Sequence, residues 1–102
     1  MMFPKKVSGP HKEQLKNILS RITELLKESN ESDYSVFTIE QTLETLFKET
    51  ERLDKRNRFH IKRISFLFLP TGPLQEISLA NPWSDEFLVL ADRFDTIIEN
   101  YG

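Results

Sequence analysis

From position 83 onward the large apolar residues fall at Trp83, Phe87, Leu90, Phe94, Ile97 and Tyr101, at steps of 4, 3, 4, 3 and 4. Only an α-helix gathers residues at those steps onto one face, so the segment reads as a helix that must lay that face against other elements. Leu88, Ala91 and Ile98 widen the row. Asn81-Pro82 precedes it: a side chain able to cap, then a residue whose missing amide proton is harmless in a first turn. Asp85 and Glu86 follow, beside the positive end of the helix dipole.

Two more rows of the same kind stand upstream. Leu15, Ile18, Leu19, Ile22, Leu25 and Leu26 predict a helix over 11–29, begun at Ser8-Gly9-Pro10. Val36, Ile39, Leu43, Leu46, Phe47 and Leu53 predict a second over 36–55, and Thr38 with Gln41 three residues on reads as a capping box. The polar run from Ser29 to Ser35 offers Asn30 or Asp33 for the turn between them, and so short a link makes the two helices antiparallel neighbours.

Phe59 to Leu79 is ambiguous. Ile61, Ile64, Leu67 and Phe68 suit a helix, whereas Ile64, Phe66 and Phe68 alternate like a strand. Pro70-Thr71-Gly72-Pro73 must turn the chain. Pro73 suits a first turn after Thr71, and no two-residue hairpin signal is present, which favours helix. The expected fold is all-α, a bundle of about four helices forming a single domain over 1–102; the alternative is α+β with a hairpin at about 60–80.

The chain has 102 residues and no cysteine, so thiolate metal sites and disulfides are unavailable and a reducing, cytoplasmic compartment is expected. No apolar stretch follows Lys5 and Lys6 as in a secretory leader. Ile64 to Leu69 is far shorter than the roughly 20 residues that cross a bilayer, so no membrane span is expected.

Catalytic signatures are missing. His11 and His60 lack a second ligand at metal spacing, and Gly9, Gly72 and Gly102 build no phosphate cradle. Asp92 with Asp95 and Glu40 with Glu44 are carboxylate pairs of a kind common on solvated helices. The chain is therefore expected to use no cofactor or metal and to be no enzyme.

Charge is segregated. Residues 52–63 hold Arg52, Lys55, Arg56, Arg58, Lys62 and Arg63 against Asp54 alone, whereas from position 70 Glu76, Asp85, Glu86, Asp92, Asp95 and Glu99 face only Arg93. The two segments either neutralise each other within the fold or supply a docking surface, the acidic helix for a basic partner. The basic stretch is the alternative, a regulatory module for nucleic acid, and the less favoured one because only Phe59 lies nearby for stacking. Trp83 is expected as a core anchor, or less often as an exposed contact.

The stretch Ile64 to Phe94, ISFLFLPTGPLQEISLANPWSDEFLVLADRF, covers about a third of the chain and resembles the C-terminal half of small bacterial immunity proteins of toxin systems, including contact-dependent inhibition. Many of those carry glycines beside the tryptophan, where this chain has Pro82 and Ser84. The resemblance implies a cytoplasmic protein that neutralises a cognate toxin, such as a nuclease, by occluding it. On this reading the partner is a basic toxin domain, met by Glu76, Trp83, Asp85, Glu86, Asp92, Asp95 and Glu99.

Overall fold

The computed structural model describes residues 10–33, 35–70 and 72–99 together with 5–6, giving backbone alone for 5, 6 and 59. Within them the chain is an all-α bundle of five helices: α1 (Pro10–Lys27), α2 (Ile39–Arg56), α3 (Ile61–Phe68), α4 (Pro73–Leu79) and α5 (Ser84–Ile98). Two short strands, β1 (Lys5–Lys6) and β2 (Arg58–Phe59), pair antiparallel with Lys5 opposite Phe59. The segment that sequence left open is two short helices, α3 and α4, and the expected start at Ser8-Gly9 lies outside the described residues.

The capping box at the head of α2 forms as expected. Thr38 Oγ1 accepts the Gln41 N–H at 3.1 Å, and Gln41 Oε1 accepts the Thr38 N–H at 2.9 Å. The cap sets the start at Ile39, three residues later than the apolar count proposed, and leaves Val36 exposed before it. At the other end Asn57 turns left-handed, with φ 55°, and its N–H closes on the Leu53 carbonyl at 3.0 Å.

The inner row of α2 also differs from the expectation. Thr42, Leu46, Glu49 and Leu53 face inward, while Phe47 is 67% exposed and Leu43 only half-buried. Thr42 can turn inward because its hydroxyl donates to the Thr38 carbonyl at 2.8 Å, which leaves no polar atom unsatisfied.

α1 lies between α2 and α5 and is antiparallel to both. Lys16 near its start meets Asp54 near the end of α2 at 2.8 Å, and Arg21 further along meets Glu86 in the first turn of α5. Leu15, Ile18, Leu19, Ile22 and Leu26 are buried beneath these pairs. α3 and α4 close the core from the remaining side, where the ring of Phe68 stacks on Phe94 at 4.1 Å and on Phe87 at 6.1 Å. At the α3–α4 corner Gly72 is required by space: a Cβ there would stand 2.8 Å from the Phe66 carbonyl and 2.9 Å from that of Leu69.

Asn81 does not cap α5. The helix starts at Ser84 with Trp83 at its head and no side-chain cap. Asn81 spends its amide elsewhere: Oδ1 accepts the Asn30 N–H at 2.9 Å, and Nδ2 donates to the carbonyls of Asn30 and Ile77 at 2.8 and 2.9 Å. Trp83 Nε1 donates to Ser29 Oγ at 2.8 Å just beside this clasp. The loop after α1 is thereby held to the α4–α5 corner.

Truncating the face that α5 buries leaves a cavity, so Phe94→Ala is expected to lower stability by about 3–5 kcal/mol and Leu90→Ala by about 2–5 kcal/mol. Chemical denaturation measures both; a wild-type midpoint in either variant would show that this face is not buried.

Candidate functional site

A charge can face a partner only if the fold has not already used it. On the basic side the fold uses much of it. Glu49 is 1% exposed, and its carboxylate stands at the α2–α3 corner among His60 and two guanidinium groups. Oε1 accepts the His60 N–H at 2.6 Å, Oε2 lies 3.2 Å from His60 Nδ1, and Arg52 Nε and Arg63 Nη1 are 3.7 and 3.9 Å away. His60 heads α3 without a side-chain cap of its own, so the carboxylate from α2 holds the start of that helix. Lys55 pairs with Glu51 and Lys48 with Glu44, both one helical turn apart and exposed. Arg56, Arg58 and Lys62 have no ion-pair partner among the described residues.

The acidic side divides differently. Glu86 is engaged with Arg21, which donates Nε at 2.5 Å and Nη2 at 3.0 Å in a two-pronged pair. That hydrogen bond holds the Glu86 carboxyl below the ordinary glutamate range and raises Arg21. Asp54 is likewise lowered by its hydrogen bond to Lys16. Asp85, Asp92, Asp95 and Glu99 have no ion-pair partner among the described residues. They share the outward face of α5, at steps that place Leu88 inside the stripe and Val89 at its edge. Leu88 is 58% and Val89 51% exposed, so the stripe has an apolar centre that sequence reading had partly assigned to the core.

The expected partner residues therefore separate. Asp85, Asp92, Asp95 and Glu99 come together, Glu86 joins them only as half of an internal pair, and Glu76 lies half-buried on α4. Trp83, 6% exposed with its N–H held by Ser29 and its ring edge-on to Phe87 at 6.4 Å, is the core anchor first expected of it, which corrects its place among the partner contacts. Beside the stripe, between α1 and α5, runs a groove of about 550 Å³ bordered by Gln14, Asn17, Asp92, Arg93 and the Arg21–Glu86 pair. Burial of Glu49 is what sequence reading missed; the row Thr42, Leu46, Glu49, Leu53 was a usable signal that Leu43 and Phe47 outweighed.

Among the described residues no three histidine, aspartate or glutamate side chains gather as a metal group, and no helix is long and apolar enough to cross a membrane. No family model, curated protein or solved structure matches the chain.

Two measurements check these assignments. Glu49→Leu removes a buried charge together with its contacts to His60 and strips the buried Arg52 Nε of its nearest counter-charge, so it is expected to lower stability by about 3–5 kcal/mol, and Glu49→Gln should lose less. Undiminished stability of the leucine variant would mean that desolvation cancels the bonds. Glu86 and Asp54 have folded pKa values below their unfolded ones, so the unfolded chain binds more protons in acid; their stabilisation is present above the ordinary carboxylate range and lost as pH falls through it. Melting between about pH 5 and pH 2 should show a decline that Glu86→Gln makes shallower and that roughly 1 M salt weakens. An identical acid limb in the variant would contradict the pairing.

Proposed function

We propose that this protein is a non-catalytic immunity protein that acts in the cytoplasm, docking the outward face of α5 on a basic toxin domain and covering the toxin's active site. The observation that carries the reading is the unneutralised stripe of Asp85, Asp92, Asp95 and Glu99 around exposed Leu88 and Val89. An apolar centre with a charged rim is the usual anatomy of a protein interface: the apolar area supplies affinity, and the charges set orientation and association rate. The likeness of Ile64 to Phe94 to immunity proteins supports the same reading. A nuclease suits it best among toxins, because the groove that binds a polyanionic substrate is basic and an acidic helix offers the matching field.

Glu86 contributes by fixing α5 to α1 through Arg21, and Trp83 by anchoring the start of the helix. Both would position the docking face without touching the partner.

Co-expression with a toxin encoded by a neighbouring gene tests the proposal. The wild-type chain should co-purify with that toxin and protect the cell, and Asp92→Lys combined with Asp95→Lys should weaken the complex at least about tenfold while the protein stays folded. Undiminished protection by the charge-reversed variant, or no protection by the wild type, would overturn it.

A further inference from the structure

The basic side of the molecule carries a second surface, built by folding rather than by the run of basic residues alone. Two grooves meet at Lys48. One, of about 460 Å³, separates α2 from α3; Lys48, Lys62 and Arg63 rim it, and Phe37 and Phe66 stand in its wall with ring centroids 5.4 Å apart. The other, of about 320 Å³, follows the outer face of α2 past Phe47, Arg52, Lys55 and Arg56. Each groove thus presents one exposed phenyl ring, Phe66 at 39% and Phe47 at 67%.

Between positions 48 and 63 seven lysines and arginines stand against Glu49, Glu51 and Asp54. Asp54 is turned away to Lys16 on α1, and Glu49 is buried beneath the surface. The exposed pairs of Lys48 with Glu44 and Lys55 with Glu51 are of the weak one-turn kind, which a phosphate readily replaces. What remains toward solvent is a cationic track with a flat apolar ring on either side of Lys48.

We propose that this side binds single-stranded nucleic acid, with Lys48, Arg56, Lys62 and Arg63 following the phosphates and Phe47 and Phe66 each taking an unstacked base. Single strands offer both groups in alternation, a charge at every step and a planar face free to stack. A duplex hides its base faces, and an acidic protein segment meets the cations but brings no planar group to the two rings. The site shares no residue with the α5 stripe, so it stands or falls separately from the immunity reading.

Fluorescence anisotropy with end-labelled oligo-dT and oligo-U of about 12 nucleotides tests it on the full chain. Both should bind at about 50 mM salt and release toward 200 mM. Phe47→Ala and Phe66→Ala should each weaken binding roughly 5- to 100-fold with the salt dependence kept, and Arg56→Glu with Lys62→Glu should flatten that dependence. Tighter binding of oligo-U or of oligo-dT supports the site and says which strand it takes. Asp92→Lys with Asp95→Lys should not weaken binding, which separates this surface from the α5 face. No binding at low salt, phenylalanine variants that bind like wild type while still melting as folded proteins, or equal affinity for a duplex or a poly-glutamate peptide would each overturn the proposal.

Discussion

The carboxylate of Glu49 is the contact from which the basic half of the molecule is organised. A buried charge is tolerable only where hydrogen bonds and counter-charges surround it: the His60 N–H donates to the carboxylate, the His60 ring lies beside it, and the guanidinium groups of Arg52 on its own helix and Arg63 on α3 stand as counter-charges at 3.7 and 3.9 Å. To satisfy it, the chain must turn at Asn57 and bring the start of α3 back onto α2. The same turn presents β2 to β1 and opens the groove between α2 and α3. The buried acid in an apolar row thus sits where the α2–α3 corner, the end of β2 and the groove meet.

The other half is held by neutral hydrogen bonds. Asn81 joins the Asn30 backbone to the end of α4, and Trp83 reaches Ser29. These bonds and the Arg21–Glu86 pair settle how α5 lies on α1, and therefore which of its residues look outward. The acids left on that face are the ones no internal cation has taken. Segregation of charge along the sequence is only the raw material, and folding decides which charges remain for a partner.

Much of the architecture was legible because periodicity is a local property. The rows from Leu15 to Leu26 and from Phe87 to Ile97, and the Thr38–Gln41 box, are read from neighbours three and four residues apart and appear where they were expected. Tyr101, the last of the α5 row, falls outside the described residues. What sequence reading missed depends on distant partners. Asn81 has the appearance of a helix cap, yet Asn30, far away in sequence, claims its side chain. Phe47 looks like core and Glu49 like surface, and each is the reverse: His60 and Arg63 fold back over Glu49, while Phe47 projects from α2 at 67% exposure. The candidate site was legible in outline as an acidic last helix; the removal of Trp83 and Glu86 from it, and the addition of Leu88 and Val89, needed the packed structure.

The proposed function requires that the unneutralised acids on α5 guide a basic partner onto that face. It is measured most directly by the association rate with a toxin encoded by a neighbouring gene, followed by stopped flow over a range of ionic strength, for the wild type and for a chain with Asp85, Asp92 and Asp95 changed to Asn. The wild-type rate should fall steeply with salt, and the variant rate should be slower and nearly flat. Equal rates and equal salt slopes in the two proteins would contradict it.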